Sequence, residues 1–346
     1  MSACRIVSFG EVMLRMKSPQ FERFLQSPVF EATFGGGEAN VAVSLSNYGM
    51  NAAFVTVLPK NDLGEACIRE LRSYGVDVVH ICRTDGRIGV YYLEAGAAQR
   101  ASKVIYDRAD SCIALAKPGD INWECAFEDA GWFHITGITP AISQSAAELS
   151  MEAVRKAHEM GVHVSCDLNY RKNLWKYGKK ASEVMPEIVK YTDTVIANEE
   201  DVQKALGISA ETVGAVEKGQ IDVEQYRRIA EGVMRAYPNV RRVAITLRES
   251  KSASNNDWSA CLYNGSDFFL SRKYAITPIV DRVGGGDSFS AGLIYGLNSY
   301  SDEKSALEFA VAASCLKHSI NGDFNRVSVA EVESLMKGSG SGRVQR

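Results

Sequence analysis

The chain has 346 residues, with 39 Lys and Arg against 42 Asp and Glu, and a net charge of −3 at neutral pH. That length suits one large α/β domain, or a domain with a small appendage. A net charge this small shows no electrostatic footprint for nucleic acid or an anionic membrane, and no apolar run reaches the length of a membrane span.

The N-terminus and the cysteines predict a cytoplasmic protein. An apolar strand begins almost at once, near Arg5, and leaves no room for a signal peptide. The eight cysteines are scattered without a C-x-x-C pair, and most lie in apolar contexts, as Cys166 does. This usage is typical of reduced core residues rather than of disulfides or metal ligands.

Short apolar runs alternate with helical patterns over nearly the whole chain. Runs typical of buried parallel strands occupy residues 4–9, 52–58, 132–136, 162–167, 194–197 and 242–247. Between them, apolar residues recur at helical spacing, as at Val41, Leu45 and Tyr48, and again at Phe309, Ala313 and Leu316. The alternation predicts an α/β fold, a three-layer α/β/α sandwich with a mostly parallel central sheet.

Two segments interrupt this rhythm, at about residues 11–34 and 87–113. The first is irregular, and the second alternates like antiparallel strands, with Val90 and Tyr92 and then Val104 and Tyr106. We interpret both as a small β-sheet lid on a main domain that spans residues 1–337. Residues 208–223 are polar and glycine-dotted, which indicates a surface insertion, and the Gly/Ser-rich residues 338–346 indicate a flexible tail.

The first glycine cluster, Gly35-Gly36-Gly37, directly precedes a helix that carries Asn40 in its first turn. Glycines at such a point permit close approach of the backbone to a small polar substrate, with Asn40 as a hydrogen-bonding side chain. The alternative is a tight turn without a binding role.

Three side chains of the predicted lid and one that follows the strand ending near residue 167 suggest an acidic substrate. They are Tyr91, Tyr106, Arg108 and Arg171. Taken singly, each arginine is more typical of a surface ion pair. If the two converge, their planar guanidinium groups suit a carboxylate bound through paired hydrogen bonds.

An acidic run, Asn198-Glu199-Glu200-Asp201, follows another strand. It predicts a site that helps to hold Mg²⁺ through water, because magnesium keeps several waters and takes few protein carboxylates. The alternative is an acidic first helical turn, which the helix dipole favours.

The most informative block begins at Asp281 and ends in three glycines and an acid: Gly284, Gly285, Gly286 and Asp287. The glycines follow an apolar strand and run into an apolar helix. A helix N-terminus offers unpaired N–H groups and a positive dipole end, which together favour phosphate. A carboxylate within a phosphate site is suited to accept a proton from an attacking hydroxyl, so the block predicts phosphoryl transfer to an alcohol. The alternative is a glycine-rich turn with Asp287 as a helix cap.

Several other site motifs are absent from the sequence. There is no G-x-x-x-x-G-K-[ST] phosphate loop, and the late glycine block lacks the final glycine of the dinucleotide fingerprint, having Phe289 there. This argues against a nucleotide-binding oxidoreductase. His158 and His163 are five residues apart, so they would not share a helix face for zinc.

The two glycine blocks, in this order and about 250 residues apart, make the chain resemble the ribokinase-like sugar kinases over about residues 5–333. The resemblance implies that Asp287 is the catalytic base and that the amides of Gly284 to Gly286 form an anion hole. It also implies ATP as phosphate donor, Mg²⁺, and in many members a stimulating monovalent cation such as K⁺ near the same loop.

Residues 35–40, 104–108, 136–141 and 167–175 resemble those of the subgroup that phosphorylates 2-keto-3-deoxygluconate. The substrate contacts expected here are Gly36, Asn40, Tyr91, Tyr106, Arg108, Ile138, Arg171 and Asp323. The expected nucleotide contacts are Asn198, Thr246, Arg248, Gly284 and Gly286. Asp201 is the expected water-mediated metal ligand.

Three departures from the family pattern stand out. Gly285 replaces the usual alanine of the late block. Asp201 is one methylene shorter than the usual glutamate. The usual glycine-rich nucleotide turn is replaced by residues 246–251, and this stretch reads as a loop without glycine until Gly265.

The expected activity is therefore an ATP-dependent kinase acting on a primary hydroxyl of 2-keto-3-deoxygluconate. Open alternatives are a kinase of a neutral sugar such as fructose, a kinase of another sugar acid, and a non-catalytic sugar-binding regulator on the same fold. Because isolated small sheets are marginally stable, we also expect a homodimer formed through the outer face of the lid.

Overall fold

The computed structural model describes residues 4–208 and 223–338. Most of the predicted surface insertion, residues 209–222, lies outside the described residues. So does the predicted flexible tail beyond residue 338.

The strands of the described chain are short, and two of them form a long hairpin near residue 254. In chain order they are β1 (Arg5–Phe9), β2 (Met13–Lys17), β3 (Glu31–Gly35), β4 (Asn51–Val55), β5 (Val57–Pro59), β6 (Cys82–Thr84), β7 (Gly89–Glu94), β8 (Lys103–Asp107), β9 (Ala130–Thr136), β10 (His163–Asp167), β11 (Thr194–Ala197), β12 (Arg242–Ser252), β13 (Asn255–Tyr263), β14 (Phe268–Leu270) and β15 (Tyr274–Ile276).

The helices of the described chain vary from one turn to four. In chain order they are α1 (Gly37–Asn47), α2 (Asp62–Ser73), α3 (Cys112–Leu115), α4 (Trp123–Ala126), α5 (Thr139–Ile142), α6 (Gln144–Glu159), α7 (Ala181–Val189), α8 (Glu199–Leu206), α9 (Val223–Ala236), α10 (Gly285–Ser299), α11 (Glu303–Lys317) and α12 (Val329–Met336). None of the described helices combines the length and apolar character that a membrane crossing requires.

The central sheet has the spatial order β14-β13-β12-β11-β10-β9-β1-β4, with β15 also paired to β13. The strands from β12 to β4 are parallel to one another, whereas β13 runs antiparallel to β12, β14 and β15. Each predicted apolar run contributes to a strand, so the mostly parallel sheet is confirmed.

Helices cover both faces of this sheet. Val7 and Phe9 of β1 pack in a core with residues of α6 and α7, whereas the adjacent Ile6 packs in a second core with residues of α1, α10 and α11. Side chains alternate across a strand, so neighbouring residues feed different layers. The predicted three-layer α/β/α architecture is confirmed.

The stretch from residue 246 to residue 265 differs from the expected loop, and that expectation was wrong. β12 continues to Ser252 and pairs with β13, with Thr246 opposite Ala260 and Arg248 opposite Trp258. The apolar partner strand supplies cross-strand contacts that local composition does not reveal.

A separate small sheet, here called the lid, has the order β3-β2-β7-β8. The β7–β8 pair is antiparallel as expected, the β2–β3 pair is antiparallel as well, and the central pair β2–β7 is parallel. The parallel pairing arises because the chain passes through α1, α2 and the body between these strands. The buried side chains of β7 are Tyr91, Leu93 and Glu94. Cys112 and Ile113, at the end of the second predicted lid segment, belong to α3 and the main core.

Candidate active site

A cleft of about 570 Å³ opens between the lid and the carboxyl ends of the parallel strands. Asp167 ends β10, and Asn198 directly follows β11, so both reach the cleft from neighbouring strands. Open α/β sheets commonly bind ligands at this edge.

The cleft brings together nearly all side chains and loops that the sequence singled out. The predicted site residues on its wall are Gly36, Asn40, Tyr91, Tyr106, Ile138, Arg171, Asn198, Asp201, Thr246, Arg248, Gly284, Gly285, Gly286, Asp287 and Asp323. Arg108 is the one predicted site residue that is not on the wall.

Asp287 lies in the first turn of α10, and Asn40 lies in the first turn of α1. The Asn40 amide donates a hydrogen bond of 2.6 Å to Oδ2 of Asp287, while Oδ1 of Asn40 accepts the Gly36 N–H at 3.2 Å. Burial raises the pKa of Asp287 to about 6, against the lowering effect of the Asn40 hydrogen bond. The carboxylate is therefore held in one orientation and is mostly ionised at neutral pH.

The first glycine of the loop is Gly284, whose φ of 82° is left-handed and suits glycine. The Gly285 N–H donates to the Arg282 carbonyl at 3.3 Å. The N–H groups of Gly286 and Asp287 stand in the first helical turn, where intrahelical acceptors are lacking. A Cβ on Gly286 would meet no atom within 4 Å, so this residue borders open space in the cleft. An anion can approach the backbone closely at this point.

Acidic side chains gather in the cleft close to Asp287. Asp167 is 7% exposed, and its pKa is raised well above its ordinary value, first by burial and then by repulsion from Asp201 and Asp287. A cation would relieve this repulsion. No role was predicted for Asp167 from the sequence, although it ends β10 at the same edge of the sheet where Asn198 follows β11.

Asp201 is held by backbone donors on both carboxylate oxygens. Oδ2 accepts the Asn198 N–H at 3.2 Å, and Oδ1 accepts the Tyr170 N–H at 2.9 Å. In residues 4–208 and 223–338, no group of three or more His, Cys, Asp or Glu side chains is arranged to hold a metal ion. The donor set therefore fits a magnesium ion that keeps its waters and not one bound wholly by protein ligands.

The two predicted carboxylate-binding arginines do not converge. Arg171 is exposed on the cleft wall, donates to the Tyr170 carbonyl at 3.1 Å, and has no ion-pair partner within the described part of the chain. Arg108 is buried, forms an ion pair with Glu11 and lies over the Tyr106 ring at 5.4 Å. The guanidinium of Arg108 thus packs behind Tyr106, and that of Arg171 remains available to a ligand.

Glu38, which directly follows the first glycine cluster, is a buried acid with no role predicted from the sequence. Its Oε1 accepts hydrogen bonds from the Thr136 N–H at 3.0 Å, the Thr136 hydroxyl at 2.8 Å and the Thr139 hydroxyl at 2.9 Å. Burial raises the pKa of Glu38 to about 7. The contacts join the start of α1 to the loop that carries Ile138.

A buried ionic network joins the lid to the body beneath the glycine loop. Arg15 of β2 is 1% exposed and forms ion pairs with both Asp281 and Asp323. Tyr91 donates to Oδ1 of Asp323 at 2.6 Å. Sequence reasoning missed Arg15 because its partners lie 266 and 308 residues away.

The sequence of this chain matches a known protein family over most of its length. The sequence profile described as pfkB family carbohydrate kinase matches residues 4–323. The chain belongs to the pfkB family. The pfkB assignment confirms the predicted carbohydrate kinase, a phosphotransferase that binds ATP, and it supersedes the oxidoreductase and the non-catalytic regulator.

Individual pfkB relatives resemble this chain over nearly its whole length. A crystal structure of 2-dehydro-3-deoxygluconokinase from Thermotoga maritima is 47% identical in sequence and superposes with a TM-score of 0.90. The match covers 97% of this chain and 100% of that chain. A 2-dehydro-3-deoxygalactonokinase from Haloferax volcanii is 31% identical over 97% of this chain and 98% of its own length. A 2-dehydro-3-deoxygluconokinase from Thermoproteus tenax is 25% identical over 96% and 94%.

Proposed function

We propose that this carbohydrate kinase transfers the γ-phosphoryl group of ATP to a primary hydroxyl of 2-keto-3-deoxygluconate, which is also called 2-dehydro-3-deoxygluconate. The carrying observation is that Asp287, the free amides of the glycine loop and the unpaired Arg171 share one cleft. The 47% identical Thermotoga maritima kinase supports the same substrate.

In this proposal Asp287 accepts the proton of the attacking hydroxyl. A pKa of about 6 leaves the carboxylate ionised at neutral pH, and the Asn40 hydrogen bond fixes which oxygen faces the substrate. Phosphoryl transfer has a loose transition state, so positioning of the hydroxyl matters more than the strength of the base. The N–H groups of Gly286 and Asp287 stabilise charge on the transferring group.

At the sugar end, Arg171 binds the substrate carboxylate, because it lines the cleft and forms no ion pair with the described residues, although Asp167, Asp201 and Asp287 act on it electrostatically. Gly36, Tyr91, Ile138 and Asp323 line the sugar pocket. Tyr106 contributes its ring, and Arg108 supports that ring from behind through its pairing with Glu11.

At the nucleotide end, Asn198, Thr246 and Arg248 contact ATP. Mg²⁺ would be held through water by Asp167 and Asp201, whose crowded negative charge a cation neutralises. When bound, the ion lowers the charge on the ATP phosphates.

The second candidate substrate is 2-keto-3-deoxygalactonate, which the 31% identical Haloferax volcanii relative supports by its name. The two acids share the carboxylate that Arg171 would bind, and they differ at one hydroxyl. Fructose lacks the carboxylate, so an unpaired arginine in the pocket is less suited to it.

A substrate panel tests the proposal. ADP release and the mass of the product are measured with 2-keto-3-deoxygluconate, 2-keto-3-deoxygalactonate, gluconate and fructose at equal concentrations. We expect the two keto-deoxy acids to give the highest kcat/KM. A higher kcat/KM for fructose than for both acids would overturn the assignment.

We also propose a homodimer formed through the lid and a cytoplasmic location. Val104, Ile105 and Tyr106 of the edge strand β8 are 42%, 54% and 41% exposed, and such an apolar edge favours pairing with a second copy. Sedimentation of the Ile105→Asp variant should give a monomer where the parent gives a dimer. The ATP requirement and the eight free thiols suit the cytoplasm.

A further inference from the structure

The rear of the glycine loop contains a wholly buried cation, Lys317, at the end of α11. Its Nζ donates to the Ile320 carbonyl at 3.1 Å. Its Cε lies 3.3 Å from the point where a Cβ on Gly284 would stand. The ammonium group therefore sits behind the first glycine of the anion loop, on the side away from the cleft.

The chain already supplies positive charge behind the loop. Arg15 and Lys317 face Asp281 and Asp323, and the cleft carboxylate Asp287 also acts on Lys317. Burial and Arg15 lower the pKa of Lys317, and the three carboxylates raise it. A further cation here would lie beside two buried positive charges, which is costly.

The oxygens that could bind an alkali ion are already occupied by N–H donors. K⁺ is held in proteins by carbonyl and carboxylate oxygens that replace its hydration shell. Here the Ile320 carbonyl accepts from Lys317, and Oδ2 of Asp281 accepts from Arg15 and from the Gly322 N–H at 3.2 Å. Oδ1 of Asp281 accepts the Val283 N–H at 3.1 Å. The residues behind the loop therefore do not fit the monovalent cation that the family resemblance implies.

We propose that Lys317 supplies, as part of the chain, the positive charge that a monovalent cation would supply behind the glycine loop, so that this kinase needs no K⁺. Lys317 is a positioning residue: it touches neither substrate nor phosphate, and acts through the Gly284 backbone. The turnover measurements that test this role rest on the proposed function.

The parent protein gives the first test, free of any folding question. Turnover and the thermal shift caused by ADP are compared in potassium, sodium and tetramethylammonium chloride at constant ionic strength. We expect turnover to change less than about twofold and the ADP-induced shift to be equal in all three salts. Stimulation by potassium of roughly fivefold or more, or a potassium-dependent ADP shift, would overturn the proposal.

The Lys317→Met variant gives the second test, with Lys304→Met as matched control. Lys304 lies on the same helix and also donates to a backbone carbonyl, that of Leu270, but it is exposed. In tetramethylammonium chloride, Lys317→Met should lose roughly 10- to 100-fold in kcat, and potassium should restore part of the loss. Lys304→Met should behave as the parent. A Lys317→Met enzyme that matches the parent in every salt would refute the role.

A misfolded variant and a wrong substrate assignment would give different results. If Lys317→Met does not fold, as judged by circular dichroism, the parent comparison alone decides the proposal. If no sugar of the panel is phosphorylated, the proposed function fails, and the ADP-induced shift in the three salts still decides the cation question.

Discussion

The side-chain amide of Asn40 donates a 2.6 Å hydrogen bond to Oδ2 of Asp287, across 247 residues of chain. Each residue lies in the first turn of a helix that follows a glycine cluster. The contact joins the glycine block at residues 35–37 to the one at residues 284–286. In the proposed mechanism it fixes the carboxylate that accepts the proton relative to both ligands.

Replacing the base itself gives the most direct prediction. Asp287→Asn removes the proton acceptor but keeps the shape of the side chain, so turnover should fall by roughly 10²- to 10⁴-fold. Binding of ATP, followed by calorimetry, should change little because the backbone amides remain. A variant with parental turnover would remove Asp287 from the role of base.

The pH dependence of turnover should report Asp287 and its partner. With a pKa of about 6, the carboxylate is protonated below that pH, so kcat should fall as pH decreases through 6. In Asn40→Ala the carboxylate of Asp287 loses a stabilising hydrogen bond, so its pKa should rise. The pH at which kcat falls should then move upward by about one unit. Asn47→Ala on the same helix, where the side chain donates to the Asn325 carbonyl at 2.7 Å, is the control. An unmoved limb in Asn40→Ala would contradict the coupling.

Loss of Arg171 should discriminate between substrates. Arg171→Ala should lower kcat/KM for keto-deoxy acids by roughly 10- to 100-fold, since a charge-assisted contact contributes about 1.5–3 kcal/mol. Any activity on fructose should change far less. The exposed neighbour Lys172, changed to alanine, is the matched control. Equal losses on acidic and neutral sugars would exclude carboxylate binding by Arg171.

Two glycines of the same loop should respond differently to alanine. In Gly286→Ala the new methyl group enters open cleft space, so the melting temperature should hold while turnover falls at least about tenfold. In Gly284→Ala the left-handed backbone costs about 1–2 kcal/mol, and the methyl group overlaps the Asp323 carbonyl, so the protein should melt several degrees lower. Calorimetry and steady-state kinetics on both variants check this. The reverse pattern would mean that Gly286 is needed for folding and not for phosphate.

Local sequence patterns were sufficient for the layered fold and for most of the cleft. Buried parallel strands carry continuous apolar runs, and both glycine blocks precede helices, so β10, β11 and Asp287 could be located by pattern alone. The β12–β13 hairpin was missed because its pairing depends on a partner strand, not on local composition.

The buried ion pairs of Arg108 and Arg15 could not be predicted from the sequence, because their partners lie far away along the chain. Nothing near Arg108 indicates that Glu11 would bind it, and nothing near Arg15 points to Asp281. A charged residue on a lid strand is ordinarily read as solvent-facing. Only the fold reveals that these guanidinium groups are buried with acids from elsewhere in the chain.

Arg15 has a mechanical consequence for how sugars enter. It belongs to β2 of the lid, while both of its acid partners belong to the body, so lifting β2 away would separate buried ion pairs at a cost of several kcal/mol. The lid is thus anchored to the body along one of its two central strands. A movement that widens the cleft must either leave β2 in place or break this network.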